Sequence, residues 1–258
     1  MRLAIACLLF LRCIVAQSQL PLDGISVIGV DLDVATGTFK ADIVNNTGLD
    51  VSGGSYRVDV TFLDGTSYSW HNSFDLLYSM VLEKLGLGSS GATQIGVLHP
   101  GQAYHVAQPV QRGGNSGPVV LVAVTPASVV YVGGVADGDE ADIVRLFRVR
   151  AAIAAEASIW VKEVTAIRNT KDLADLGSKA TTDYDAMRSN TTKNTSAGRF
   201  VGLRDTGVLQ SLMEMSAKTI KRVEARQIGE RDALEFIRAY LGNLAAVAAA
   251  ESARKEAR

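Results

Sequence analysis

The chain has little cysteine and few aromatic residues. Its two cysteines, Cys7 and Cys13, both lie close to the N-terminus of the 258-residue chain. If that segment is removed, the mature chain has no thiol, which excludes disulfides, zinc–thiolate sites and cysteine nucleophiles. The formal net charge of −1 gives no basic excess. A nucleic-acid binder is therefore not expected, since such proteins normally carry a basic stripe.

The N-terminus has the pattern of a signal peptide. Residues 3–11 carry no charge, a length that suits a signal-peptide core and is too short to span a membrane. Small residues at Ala16 and Ser18 favour cleavage after residue 18, so segment 1–18 is interpreted as a signal peptide and the mature protein as secreted or periplasmic. A retained anchor is the alternative, although Arg12 interrupts the apolar run. No later run has the length of a membrane span, and none is expected in the mature chain.

The segment 19–136 is predicted to be a β-sandwich domain. Inward-facing residues alternate with polar ones along two clear strands, and turn signals separate further candidate strands at the spacing of an antiparallel sandwich. The alternating apolar residues are Phe39, Ala41, Ile43, Tyr56, Val58, Val60 and Phe62. One stretch departs from period two, because apolar residues recur at helical spacing over 74–86. A helical insertion is predicted there.

From 137 to 258 the hydrophobic period changes to that of a helix. A stripe beginning at Ile143 continues for some 30 residues, and two further stripes cover 205–226 and 230–250. A polar stretch without periodicity predicts a flexible loop near 189–200. The fold class is therefore α+β, an N-terminal antiparallel immunoglobulin-like β-sandwich followed by a C-terminal α-helical hairpin or bundle. Three stripes on one chain favour a monomer over a homodimer.

Three motifs of the first segment together resemble those of a known family. They are ADIVNNTG at 41–48, YRVDVTFLDG at 56–65 and LHPGQ at 98–102. In this order they resemble the bacterial exported immunoglobulin-like domains of the FxLYD type. The resemblance covers roughly residues 24–134 and implies a sandwich fold, an exported location and a role as a binding or accessory module. It implies no catalytic residues.

An enzymatic alternative rests on GGNSGP at residues 113–118, which is similar to the nucleophile loop of trypsin-like serine proteases. There Ser116 would be the nucleophile, with backbone amides forming an oxyanion hole. The second glycine after the serine is missing, and His71, His99 and His105 lack the sequence context of a catalytic histidine. A glycine-rich hairpin loop explains the same residues without a reaction.

Two arrangements suggest metal ligands but have simpler explanations. Acidic residues at 137–142 have the look of a calcium loop, yet Asp139 at the start of the long helix is better interpreted as its N-cap. His99 and His105 flank a Pro–Gly turn without a neighbouring acidic residue in the segment and are expected to be exposed turn histidines. No metal site and no cofactor are therefore predicted.

Tyr68, Trp70 and His71 are the candidate ligand-binding residues, because aromatic side chains clustered at one strand end favour recognition. Asn-x-Thr/Ser triplets at Asn45, Asn190 and Asn194 would be glycan acceptors in a eukaryotic secretory pathway. These features favour an exported non-enzymatic binding or envelope-associated protein that contacts a cell-envelope or extracellular protein. The alternatives are a serine hydrolase using Ser116 and a structural component of a surface assembly.

Overall fold

The structure of the protein is a computed structural model that describes residues 22–86, 96–114, 117–195 and 206–254; for 187–195 and 206 it describes the backbone alone. Within these ranges the chain forms two antiparallel sheets and five helices. The protein is therefore of mixed α and β structure, as the sequence predicts. Segment 1–18, expected to be a signal peptide, lies outside the described residues.

Seven strands build the two sheets. In chain order they are β1 (Ile25–Asp33), β2 (Thr38–Asn45), β3 (Val51–Phe62), β4 (Ser67–Asp75), β5 (Ala103–Pro109), β6 (Val119–Tyr131) and β7 (Ala136–Gly138). The first sheet has the order β1-β2-β5 and the second the order β4-β3-β6-β7. β4 and β5 therefore each lie at the edge of a sheet.

The predicted period-two faces are confirmed. All seven alternating apolar residues of β2 and β3 are buried, with Val60 at 0 % and Ile43 at 1 % exposure. The β2–β5 register pairs Phe39 with Gln108 and Ile43 with Tyr104. Strand alternation therefore places Tyr104 and Gln108 on the same face of β5, with the buried Val106 between them.

The helices are α1 (Leu77–Lys84), α2 (Glu140–Thr165), α3 (Thr170–Thr195), α4 (Thr206–Glu224) and α5 (Glu230–Glu251). α1 lies inside the predicted insertion at 74–86. α2 packs mainly against α5, and α3 against α4. The predicted N-cap is confirmed, because the Asp139 side chain accepts a hydrogen bond from the Asp142 backbone N–H at 3.0 Å.

α3 differs from the sequence prediction. Its helix continues to Thr195, so residues 189–195, expected in a flexible loop, are helical, while 196–200 lie outside the described residues. The helix was missed because few apolar residues mark its inner face. Leu173 and Ala180 are fully buried, but most of their neighbours are polar. An amphipathic pattern this sparse is weak evidence for a helix.

The described chain divides into two compact units. The first comprises the described residues within Met1–Gly48, Ser55–Asn72 and Pro100–Ala127, and the second those within Leu49–Gly54, Ser73–His99 and Ser128–Arg258. The division does not coincide with the expected boundary at 136–137. In the second unit, Leu77 and Val81 of α1 belong to the same apolar cluster as the four later helices, which explains why α1 groups with them.

Among the described residues, α5 is the one helix that is long and apolar enough to cross a membrane by length and composition. Core helices meet the same criteria, and Ile237, Leu241 and Leu244 of α5 are fully buried in the apolar cluster of the second unit. The composition of α5 is thus accounted for by packing against its neighbours.

Candidate functional site

The candidate residues Tyr68 and Trp70 lie on the inner face of edge strand β4 in the first unit. Tyr68 is half-buried and Trp70 is 8 % exposed. Their rings stack with centroids 5.9 Å apart and planes at 25°, and Phe39 of β2 meets Trp70 edge-on at 6.2 Å. These are the offset and T-shaped arrangements that aromatic rings favour. The Tyr68 ring is therefore held by a rigid, buried neighbour.

His71 does not join this pair. It is exposed, and the alternation of β4 places it on the opposite face from Trp70 and Asn72. The three candidate residues are close in sequence but divided between two faces of the strand. A ligand that contacts Tyr68 along the inner face therefore meets Asn72 rather than His71.

Asn72 extends the inner row of β4 and bridges to β5. Its side-chain amide donates a hydrogen bond to Gln108 Oε1 at 2.7 Å. Tyr56 of β3 is 1 % exposed and hydrogen-bonds to the side chains of both Asn72 and Gln108. Burial, followed by the neighbouring Tyr104, raises the pKa of Tyr56 to about 12, while the hydrogen bonds from Asn72 and Gln108 act in the opposite direction.

We call the set formed by Tyr56, Tyr68, Trp70, Asn72, Tyr104 and Gln108 the β4–β5 row. One polar atom of the row has no partner, because the buried Trp70 Nε1–H meets no acceptor among the described residues. Leaving a buried donor unsatisfied costs about 1–3 kcal/mol, so such a group calls for an explanation. The sequence prediction included Tyr68 and Trp70 but not Asn72 and Gln108, which are 36 positions apart in the chain.

The second unit contains a buried charge cluster built around Arg150 of α2. The side chain of Arg150 is 0 % exposed. Its Nε and Nη2 donate to the Asp75 carboxylate at 3.2 and 3.0 Å, and Nη2 also donates to the Ser52 carbonyl at 2.8 Å. Glu251 Oε2 lies 3.6 Å from Nη1 and completes an ion triad.

Both carboxylates of the triad have a second partner. Asp75 Oδ1 accepts from the Leu77 backbone N–H at 3.0 Å, and Glu251 accepts from the Gly133 N–H at 2.9 Å. Arg150 is inaccessible to solvent, and the charged groups of the cluster are paired with one another within the fold. We therefore assign the cluster a structural role. The sequence signal was a charged residue within the apolar stripe of α2, three positions from both Phe147 and Ile153.

The histidines expected at an exposed turn each have an acidic partner from a distant part of the chain. His99 Nδ1 lies 2.8 Å from Asp50 in the second unit, and His105 Nδ1 lies 2.6 Å from Asp42 in the first. The strand register across β2 and β5 brings Asp42 opposite His105, which a search of neighbouring sequence could not find. No group of three or more metal-ligating side chains occurs within the described ranges.

Two further residues from the sequence analysis are the candidate nucleophile Ser116 and the candidate glycan acceptor Asn45. Ser116 lies outside the described residues, while Gly113 and Gly114 before it have positive φ values of 54° and 90°, as glycine-rich loops do. Asn45 is 0 % exposed, and its Oδ1 accepts from the Thr47 N–H and hydroxyl at 3.0 and 2.6 Å. It is thus a buried turn residue without room for a glycan.

The chain matches no family model, no curated protein and no solved structure.

Proposed function

We propose that the protein is an exported, non-enzymatic binding or envelope-associated interaction protein. In this proposal an N-terminal immunoglobulin-like sandwich of the FxLYD type carries the ligand surface, and a C-terminal helical hairpin or bundle mediates docking. The mature protein is secreted or periplasmic, monomeric and without a cofactor, and its partner is a cell-envelope or extracellular molecule. Export is supported by the uncharged run at residues 3–11.

The observation that carries the proposal is the half-buried Tyr68 on edge strand β4, stacked on the buried Trp70. Aromatic side chains dominate the binding energy of many interfaces, and a ring already held in place loses little entropy on binding. Among the described residues, the rest of the row consists of amides and phenols, none of which is a carboxylate or an imidazole. This composition suits recognition better than proton transfer.

Photo-crosslinking tests the proposal. In the full chain, benzoylphenylalanine replaces Tyr68 in one variant and His71, three residues away on the other face, in a matched control. Each variant is irradiated with envelope and medium fractions of the producing cell, and adducts are identified by mass spectrometry. We expect one dominant adduct from position 68 that an excess of unlabelled wild-type chain suppresses. Equal, unsuppressed adducts from both positions, or none from position 68, would contradict the proposal.

A further inference from the structure

We infer that one end of the second unit docks on an anionic phospholipid surface through six exposed basic side chains. We call this set the basic end, and it consists of Lys162, Arg168, Lys171, Lys221, Arg222 and Arg226. The inference rests on the proposed function, because it gives the docking role of the helical region a partner of defined chemistry. All six residues belong to the second unit.

Three segments of the chain meet at this end. Glu230, the first residue of α5, accepts a hydrogen bond from the backbone N–H of Thr170, the first residue of α3. Arg238 of α5 donates to the carbonyl of Val164 near the end of α2 at 3.4 Å. The end of α2, the start of α3 and the turn from α4 to α5 therefore lie together, and the basic end takes residues from all three.

The six side chains have no partner within the described part of the chain, where none of them forms an ion pair or a hydrogen bond. A neighbouring lysine shows the contrast, because Lys179 pairs with Glu163 at 3.0 Å. Two nearby acids, Asp175 and Glu224, also have no partner among the described residues, but the six cations outnumber them. The excess positive charge complements an anionic surface.

Helix dipoles explain only part of this arrangement. Lys162, Lys221 and Arg222 lie in the last turns of α2 and α4, where cations are favoured. Lys171 lies in the first turn of α3, and Arg168 immediately precedes that helix. A cation is disfavoured at a helix N-terminus. The last two residues thus have no local reason for their charge, and a partner outside the chain supplies one.

The backbone of Arg226 gives independent support. Its φ is 54°, and no other non-glycine residue in the described ranges has a positive φ. The Arg226 N–H donates to the Val223 carbonyl and the Gln227 N–H to the Arg222 carbonyl, both at 2.9 Å. This is the helix C-terminal motif in which glycine normally occupies the position of Arg226. The chain therefore carries a cation where glycine would be more stable.

The spread of the cations favours a membrane surface over a single small anion. Lys221 and Arg222 are consecutive on α4, so their side chains do not face each other. The remaining members come from other segments. Such an arrangement meets a plane of negative charges better than one point charge, and clusters of Lys and Arg bind anionic lipid headgroups in this way. An acidic protein segment is the competing partner and is an outcome of the test.

Co-sedimentation of the full chain with phospholipid vesicles provides the test. Vesicles of equal parts phosphatidylcholine and phosphatidylglycerol are compared with vesicles of phosphatidylcholine alone, which report any contribution of the uncharged run at residues 3–11. We expect at least about tenfold tighter binding to the anionic vesicles. This preference should disappear between about 0.1 M and 1 M NaCl, since the Debye length falls from about 10 Å to about 3 Å.

Two double variants remove the same charge from different places. Each cation near an anionic membrane strengthens binding about fivefold, so Lys221→Gln combined with Arg222→Gln should weaken it about tenfold to thirtyfold. The control combines Arg145→Gln with Arg148→Gln. Both are exposed on α2, and Arg148 lies about 20 Å along the helix from Lys162. The control should stay within about twofold, because net charge alone does not set the affinity.

Arg226→Gly separates a binding role from a structural one. Glycine fits the positive φ, so we expect a higher urea midpoint together with about fivefold weaker binding to anionic vesicles. A higher midpoint with unchanged binding would contradict the part assigned to Arg226.

The lipid assignment is overturned if the wild-type chain shows no preference for anionic vesicles or if both double variants lose binding equally. Polyglutamate bound through Lys221 and Arg222 by a chain that ignores the vesicles would likewise overturn it and indicate an acidic protein partner. These results are separate from the crosslink at Tyr68. If position 68 captures a ligand while the vesicles fail, the docking partner alone is wrong; if position 68 captures nothing, the proposed ligand surface fails.

Discussion

Replacement of Arg150 by methionine is the sharpest test of the packing of the second unit. The substitution keeps a long apolar stem but removes the guanidinium that lies between Asp75 and Glu251, whose side chains are 20 % and 7 % exposed. Removing one partner from a buried ion pair leaves an uncompensated charge and costs about 3–5 kcal/mol. Here two carboxylates lose their shared cation. We therefore expect a loss in the upper part of that range.

Urea denaturation followed by circular dichroism at 222 nm measures the effect. At roughly 2–4 °C per kcal/mol for a domain of this size, a loss of about 4–5 kcal/mol lowers the midpoint of thermal unfolding by about 8–20 °C. Arg150→Lys should be intermediate, because an ammonium keeps the charge but cannot form the two parallel bonds to Asp75.

The control lies on the same helix. Arg145 is 52 % exposed and pairs with Asp142 at 3.5 Å, so Arg145→Ala should change the free energy of unfolding by no more than about 0.5 kcal/mol. The reasoning is refuted if Arg150→Met costs less than about 1 kcal/mol, since the side chain would then not be part of a closed charge cluster.

Three further substitutions have definite expected outcomes. A Cβ at Gly54 would lie 2.5 Å from the Ser128 carbonyl oxygen, so Gly54→Ala should lower the free energy of unfolding, measured by urea denaturation, by about 1–3 kcal/mol. The control is Gly48→Ala, whose Cβ would have no atom within 4 Å and which should change this free energy by no more than about 0.5 kcal/mol. Equal losses for the two variants would contradict this. A Cβ at Gly242 of α5 would likewise have no atom within 4 Å. Because alanine favours the helix over glycine, Gly242→Ala should raise the free energy of unfolding by about 0.5–1 kcal/mol, and a decrease would contradict this. Because the pKa of Tyr56 is raised from 10.0 to about 12, the unfolded state releases this proton first, and stability that is complete below pH 10 falls as the pH rises towards 12. Between about pH 8 and pH 11 the free energy of unfolding should therefore fall less for Tyr56→Phe than for the wild-type chain. An equal fall would mean that Tyr56 does not contribute to the pH dependence of stability.

The local pattern of the sequence predicts strand faces well. Val60 and Ile43 are buried where alternation places them, because a strand with one buried face must repeat every two residues. The same rule, applied to β4, would have separated His71 from Trp70. The Asp139 cap was also predictable, since capping depends on residues three positions apart.

Features that depend on distant parts of the chain could not be predicted in this way. The Asn72–Gln108 bridge and the Arg150–Asp75 pair join residues 36 and 75 positions apart. α3 was missed for a different reason, because its buried face is narrow and its remaining surface polar. The hydrophobic period of one sequence indicates which face of a strand or helix is buried. It does not indicate which distant residue packs against that face.

The central claim is that the inner face of β4 binds the ligand. Its most direct test is calorimetry of the crosslink-identified ligand with the full-length wild-type chain and with the Tyr68→Ala and His71→Ala variants. Loss of a preorganised aromatic anchor should weaken binding by at least about tenfold for Tyr68→Ala, while His71→Ala stays within about twofold because its side chain lies on the other face. Unchanged affinity for Tyr68→Ala, or a larger loss for His71→Ala, would contradict the account.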